Sequence, residues 1–247
     1  MMKTVKGLRS FCDFREEVEE LEKQYVVFLD SLPSHLAESG KRQFFERVKK
    51  RENAPCVMFY TPFWFADACD VKDQQAIKQI AMGTFFLYHF VTLKDDALDQ
   101  QQTNAKEYVR LSNVMLEKSL EVFSQFAPKP KLIFCFNKLT HQWNRAERYL
   151  RKHQGEMTPY QPKDFQMMGE KSAMMKLCLP AFNGMKQQRP YFCKHIEQAT
   201  NAAATGLQLM DDLSDWREDL DIQLYTYPLW MALSSHRRKV QNDQYVS

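Results

Sequence analysis

One segment limits the fold of this chain more than any other. From Phe85 to Leu93 the residues run Phe-Phe-Leu-Tyr-His-Phe-Val-Thr-Leu. Wound as a helix, that run is apolar almost all round, and such a helix has to be enclosed by other helices. The helical pattern spans Asp73 to Asp99 and ends in Lys94-Asp95-Asp96-Ala97-Leu98-Asp99. An enclosed helix therefore delivers carboxylates at its end. Burying unpaired charge is costly, so that end is expected at a cavity mouth. Asp95 and Asp99 lie about 40° apart around the helix, and Asp96 points about 100° from Asp95. One to three turns back on the same face stand Thr92, Val91, Tyr88, Leu87 and Thr84.

The rest of the chain is written in the same language. Seven glycines and ten prolines in 247 residues leave long runs rich in Leu, Lys, Glu, Gln, Ala and Met. That composition favours an all-α chain. The periodicity predicts helices over Phe14–Leu29, His35–Arg51, Met58–Ala68, Asp73–Asp99, Tyr108–Phe126, Leu132–His153, Lys163–Cys178 and Tyr191–Asp221. Pro228 interrupts a last segment, Leu224 to Val240. No internal repeat or linker divides the chain, so 1–247 reads as one domain.

Charge and cysteine usage remove several classes. A net charge of +3 does not argue for nucleic acid. Basic clusters at Lys41–Arg51, Arg145–Lys152 and Arg237–Lys239 read as solvated faces or as contacts to an anionic substrate. Six scattered cysteines show no metal-ligand spacing and read as free thiols in a reducing compartment. Met1–Arg9 lacks a signal-peptide pattern, and the apolar run Ala81–Leu93 is too short for a membrane span. A soluble, cytoplasmic protein without a transmembrane segment is expected.

A second acidic stretch lies 112 residues downstream of the first, between Gly206 and Asp221. It holds six carboxylates from Asp211 to Asp221 and one cation among them, Arg217. On a continuous helix Leu209, Leu213, Trp216 and Leu220 form an apolar stripe, expected to be the buried side. Asp211, Asp215 and Asp219 then form an i, i+4, i+8 ladder opposite it. Such a ladder of hard oxygen donors suits Mg²⁺. Taken alone it also reads as a solvated acidic face. Two carboxylate-bearing helices in one bundle favour a metal site, because bundles build such sites from facing helices.

The two stretches together resemble a known family. Asp95-Asp96-Ala97-Leu98-Asp99 is similar to the first Asp-rich motif, D-D-x-x-D, of trans-isoprenyl diphosphate synthases and class I terpene synthases. Gly206 to Asp215 is similar to their second motif, G-x-x-x-Q-x-x-D-D-x-x-D, with small shifts. Glu170-Lys171-Ser172-Ala173 resembles the Lys-Thr segment between the motifs, and Pro228-Leu229 falls where the family has a Leu-Pro pair. The resemblance runs from about Met58 to Leu233. It implies a class I terpenoid synthase helical bundle around a central apolar cavity. It also implies three Mg²⁺ ions that bind the diphosphate of a prenyl substrate. Carried over by residue, Asp95 and Asp99 hold two ions and Asp211 the third, with Asp215 assisting. Asp219 completes the i, i+4, i+8 spacing of the cyclases' second metal motif, which normally uses Asn, Ser or Thr, and Glu. Lys171 contacts diphosphate. Arg145, Arg148, Arg237 and Arg238 are further diphosphate candidates. Tyr88, Val91, Phe90, Leu87 and Gln208 are expected at the cavity, with Phe86, Phe63, Trp64 and Phe65 as further aromatic candidates. His89 and His141 read as core or hydrogen-bonded histidines. The same resemblance admits a homodimer.

Departures from the pattern set the expected reaction. Elongating synthases bind a second diphosphate substrate with G-G-K-R-x-R-P. Here Gly40-Lys41-Arg42 lies far upstream, and Tyr60-Thr61-Pro62-Phe63-Trp64, at the better position, has no cation. Gln100 to Asn104 holds no arginine pair, and Trp216 to Leu229 holds no lysine. A site poor in cations binds a second diphosphate poorly. The expectation is a terpene cyclase acting on one prenyl diphosphate. The alternatives are a chain-elongating prenyltransferase and a non-catalytic partner subunit, the latter because the chain ends sooner after Pro228 than the family does.

Overall fold

The structure is a computed structural model, and it describes residues 10–50, 56–99, 105–186 and 190–235. Eleven helices follow one another among them. They are α1 (Arg15–Asp30), α2 (Ser34–Lys50), α3 (Val57–Ala68), α4 (Gln74–Asp99), α5 (Ala105–Ser124), α6 (Lys129–Leu150), α7 (Pro162–Lys171), α8 (Leu179–Lys186), α9 (Pro190–Ser214), α10 (Trp216–Asp221) and α11 (227–235). Short 3₁₀ turns precede α1, follow α6 and precede α8. Among the described residues no strand forms, only an isolated bridge between Gln154 and Leu224. No described helix is long and apolar enough to cross a membrane.

Two helices depart from the expected boundaries for visible reasons. Pro180 was expected to end a helix, yet it lies in the first turn of α8. Proline has no N–H to lose there, so it opens a helix as readily as it closes one. The long helix expected over Tyr191–Asp221 bends at Asp215, between α9 and α10. Just before the bend, the Ser214 hydroxyl donates to the Met210 carbonyl at 3.0 Å. Such back-bonding bends helices. The helical ladder still runs through, because Asp215 N–H donates to Asp211 O at 2.9 Å and Asp219 N–H to Asp215 O at 3.0 Å. Inside α3, Pro62 removes one backbone donor. The Thr61 hydroxyl bonds the Met58 carbonyl at 2.6 Å, which satisfies the acceptor Pro62 leaves open.

Contacts group the chain into two compact units. The first comprises Met1–Phe136 and Met174–Cys193. Its centre is α4, which shares its longest interface with α5 and also touches α3 and α1. Ile80, Phe85, Leu87 and Leu93 of α4 have no accessible surface. The all-round apolar run is thus enclosed, as its pattern required. Aromatic stacking fixes the partners: Phe59 on Phe85 at 4.1 Å and Tyr25 on His89 at 4.2 Å. His89 is a core residue with 0% exposure, whereas His141 is exposed.

The second unit comprises Asn137–Ala173 and Lys194–Ser247. Its α9 buries Ile196, Thr200, Ala204 and Asp212, a line of four-residue steps that winds about 40° per step around the helix, with Gln208 half-buried between the last two. That continuity corrects the expected apolar stripe. Leu213 is 61% exposed, Trp216 42% and Leu220 39%. The inward face set by Ile196, Thr200 and Ala204 continues into Gln208 and Asp212, so the leucines are turned out.

Candidate functional site

The carboxylates of the second unit are placed by a chain of local devices. The loop after α6 is tied down by Gly155 N–H to Gln223 O at 2.8 Å and Tyr225 N–H to His153 O at 3.0 Å. Asp164 then starts α7: it has no exposure, accepts from Gln161 N–H at 2.5 Å, and pairs with Lys152 at 2.5 Å. Those partners hold its carboxyl below the usual range against the opposing effect of burial, the largest single influence on it. Gly169 lets α7 lie close against α9. A Cβ at Gly169 would sit 2.6 Å from the Asn201 carbonyl oxygen, closer than any side chain permits. The Thr205 hydroxyl completes the seam at 3.1 Å from the Phe165 carbonyl.

That seam places Lys171, the last residue of α7, beside the acidic end of α9. Together they border a pocket of about 120 Å³ whose polar lining is Tyr160, Lys171, Gln208, Asp211, Asp212, Asp215, Asp219 and Thr226, with Met168, Leu150 and Leu224 as its apolar lining. Gln208 Nε2 donates to Asp212 at 2.8 Å, and the Thr226 hydroxyl donates to Asp219 at 3.2 Å. The only cation lining the pocket among the described residues is Lys171, which is 4.0 Å from Glu147.

The pocket is electrostatically unfinished. Asp211 is exposed; the partial burial of its carboxyl raises it, Asp215 raises it further, and Lys171 lowers it. Burial pushes Asp212 up to about 6; the Gln208 bond opposes this, and the charges of Asp219 and Asp211 add to it. Burial also raises Asp219, with Asp215 and Asp211 adding and Thr226 and Lys171 opposing. The Tyr160 hydroxyl is raised by burial and by Asp212, Asp164 and Asp219. Crowded carboxylates that resist ionisation are what a bound cation would relieve.

Does this donor set fit Mg²⁺? Among the described residues no group of three or more His, Cys, Asp or Glu side chains is placed to hold a metal ion by itself. Mg²⁺ does not require one. It binds through one or two carboxylates and keeps water and phosphate oxygens for the rest of its shell. An open set of hard oxygens with one amine nearby fits such an ion, bound together with an anionic substrate.

The first unit holds the other aspartate motif in a different state. Asp95 and Asp96 are half-buried in the last turn of α4, and the side chain of Asp99 lies outside the described residues. Asp96 is bound on both oxygens, by Arg47 Nη2 at 2.7 Å and by Gln43 Nε2 at 3.1 Å. Of the expected cavity residues on α4, Leu87 is fully packed and Phe90 is 6% exposed, while Tyr88 and Val91 are half-buried. Gln208 lies in the acidic pocket instead.

The arginine candidates lie elsewhere. Arg145 is ion-paired with Glu170, whose side chain is 4% exposed and also accepts from Gln166. Its charge is thus committed within the unit, because withdrawing it would strand a buried carboxylate. Arg148 is exposed and donates to the Asn144 carbonyl at 3.3 Å. Arg237 and Arg238 lie outside the described residues. Sequence reasoning passed over Tyr160 and Thr226, which line the pocket. Tyr160 sits in a Pro-rich loop with no periodic signal, and it joins the pocket through stacking on His153 at 4.0 Å.

No family model matches the chain, and no curated protein does. Among solved structures, geranylgeranyl pyrophosphate synthase from Lactobacillus brevis ATCC 367 is similar, with a TM-score of 0.70 and 14% sequence identity. The match covers 97% of this chain and 79% of that one. The helices described above therefore assemble into the all-α fold of an isoprenyl diphosphate synthase.

Proposed function

We propose that this chain is a Mg²⁺-dependent class I terpene cyclase. It would ionise one linear prenyl diphosphate, farnesyl or geranylgeranyl in preference to geranyl, and release diphosphate with a terpene hydrocarbon or alcohol. The observation that carries the reading is the crowded pocket of Asp211, Asp212, Asp215 and Asp219 beside Lys171, on an isoprenyl-synthase fold. Asp211 and Asp215 would hold Mg²⁺ there, with Asp219 assisting, and the resemblance assigns Asp95 and Asp99 to the same chemistry. Bound Mg²⁺ supplies positive charge against the charge that grows on a leaving diphosphate. Lys171 donates hydrogen bonds to diphosphate oxygens. Gln208 keeps Asp212 oriented as an acceptor. The aromatic faces of Tyr88 and Phe90 are suited to an allylic cation, and apolar walls keep water from it.

Cation accounting supports one diphosphate rather than two. Lys41 is ion-paired with Asp30, Arg42 is hydrogen-bonded to Tyr108, and Arg145 is held by Glu170. The likeness to a geranylgeranyl pyrophosphate synthase favours the second reading, chain elongation. Products separate the two. The protein is incubated with geranyl, farnesyl or geranylgeranyl diphosphate and Mg²⁺, with and without isopentenyl diphosphate. Hydrocarbon or alcohol formed without the second substrate supports cyclisation. Longer diphosphates formed only with it establish elongation, and no turnover of any substrate leaves a non-catalytic subunit.

A further inference from the structure

Asp96 is the middle carboxylate of the first Asp-rich motif, and its surroundings are unlike those of the acidic pocket. Arg47 donates to one of its oxygens at 2.7 Å and Gln43 to the other at 3.1 Å. The same Gln43 amide reaches the Thr92 hydroxyl at 3.2 Å, and Arg47 is also hydrogen-bonded to Tyr88. The register is regular on both helices. Gln43 and Arg47 are one turn apart on α2. Tyr88, Thr92 and Asp96 are successive turns of one face of α4. Two side chains thus grip three turns of the helix that ends in the motif.

Position and charge explain why a grip is needed there. The end of α4 collects carboxylates at the negative end of the helix dipole, where anions are disfavoured. Arg47 cancels one charge with a charge-assisted bond, roughly twice as strong as a neutral one. Asp95 and Asp99 point about 100° and 60° round the helix from Asp96, near the azimuth of Tyr88 and Thr92 but one to two turns beyond them, whereas both oxygens of Asp96 are taken by Arg47 and Gln43. Asp96 is therefore spent on holding the turn and not on binding a ligand.

We infer that Arg47 and Gln43 clamp Asp96, Thr92 and Tyr88, fixing the last turn of α4 and thereby positioning Asp95 and Asp99 for diphosphate chemistry. The inference rests on the function proposed above, and it makes Arg47 and Gln43 positioning residues. Neighbours that orient metal-binding groups control affinity even though they never touch the ion.

The test uses the full chain and the variants Arg47→Met, Arg47→Lys and Gln43→Leu. Diphosphate release from farnesyl diphosphate is followed against MgCl₂ concentration. Hydrogen exchange of the backbone amides from Thr92 to Asp99 is measured in parallel. Arg47→Met should raise the half-saturating Mg²⁺ by about 10–100-fold and speed exchange in that segment. Gln43→Leu should do the same more weakly, and Arg47→Lys should restore much of the Mg²⁺ response by keeping a charge on Asp96. A Mg²⁺ response in Arg47→Met equal to that of the unaltered protein overturns the inference, whatever happens to total activity or melting temperature. If the unaltered protein releases no diphosphate, the proposed function falls and exchange alone judges the clamp. Unchanged exchange in Arg47→Met then overturns it.

Discussion

Two aspartates occupy the same place in two Asp-rich motifs, and the fold treats them in opposite ways. Asp96 is half-buried, yet it has Arg47 and Gln43 on its two oxygens. Asp212 is 6% exposed and receives one neutral donor, Gln208, while Asp211 and Asp219 press on it. The first motif carries its own counter-charge. The second is left short of one, so stability is given up at the place where the proposed cation would bind. Unneutralised charge kept in a pocket is a common mark of a functional site.

The largest expected effect tests whether the uncompensated pocket is the reacting one. Asp211→Asn keeps the shape and removes a charged oxygen donor. It should lower diphosphate release by about 100-fold or more, with a normal circular dichroism spectrum. Undiminished release would remove Asp211 from the metal site.

The next pair of variants acts directly on the contrast. The Asp212 carboxyl has its folded pKa raised above the unfolded value. Its stabilising contribution is complete below the unfolded value of 3.8 and is lost as pH rises through about 6. At pH 7.5 Asp212→Asn should therefore stabilise the metal-free protein, by on the order of 2 kcal/mol. Below about pH 4 the difference should vanish. Asp96→Asn should do the reverse, costing about 1–2 kcal/mol through the lost charge-assisted bonds. Urea unfolding at both pH values measures each. The same sign for both variants at pH 7.5 would erase the distinction between the motifs.

Metal titration sharpens the point with a smaller effect. Mg²⁺ at ten times its dissociation constant should stabilise by about 1.4 kcal/mol at pH 7.5, read as a rise in melting temperature. At pH 5 protons compete for Asp212, Asp211 and Asp219, whose carboxyls are all raised, and the rise should shrink. Asp211→Asn should abolish it. A shift that is the same at both pH values would place the ion elsewhere.

Much of this was readable from the chain. The run from Phe85 to Leu93 predicted an enclosed helix, and α4 is enclosed, because a 3.6-residue period leaves such a sequence no other stable place. The carboxylates at 95–99 and 211–219 were legible as charge set next to apolar periodicity, while Lys171 was singled out only by the family resemblance. Three things were not. The Arg47–Asp96 and Arg145–Glu170 pairs join residues 49 and 25 positions apart, and no spacing rule predicts which helix faces meet. Tyr160 reaches the pocket from a loop, where no period exists. The inward side of α9 was misjudged because the stripe was drawn over its acidic end alone. The burial is set about two to four turns earlier by Ile196, Thr200 and Ala204.

That last correction yields the smallest predicted effect. Leu213 and Asp212 are neighbours, and the apolar-stripe reading puts Leu213 inside, with Asp212 turned about 100° away from it. Were Leu213 in a core, truncation or a polar substitution would cost about 2–5 kcal/mol. At 61% exposure it buries little, so Leu213→Gln should change stability by less than about 0.5 kcal/mol. Urea unfolding beside Asp212→Asn measures both under one condition. A loss above about 2 kcal/mol for Leu213→Gln would mean that α9 is rotated from the orientation described. Asp212 would then face solvent, and the contrast between the two motifs would come down to exposure. A near-zero change, with Asp212→Asn clearly stabilising, fixes the acidic side of α9 as the side that looks inward.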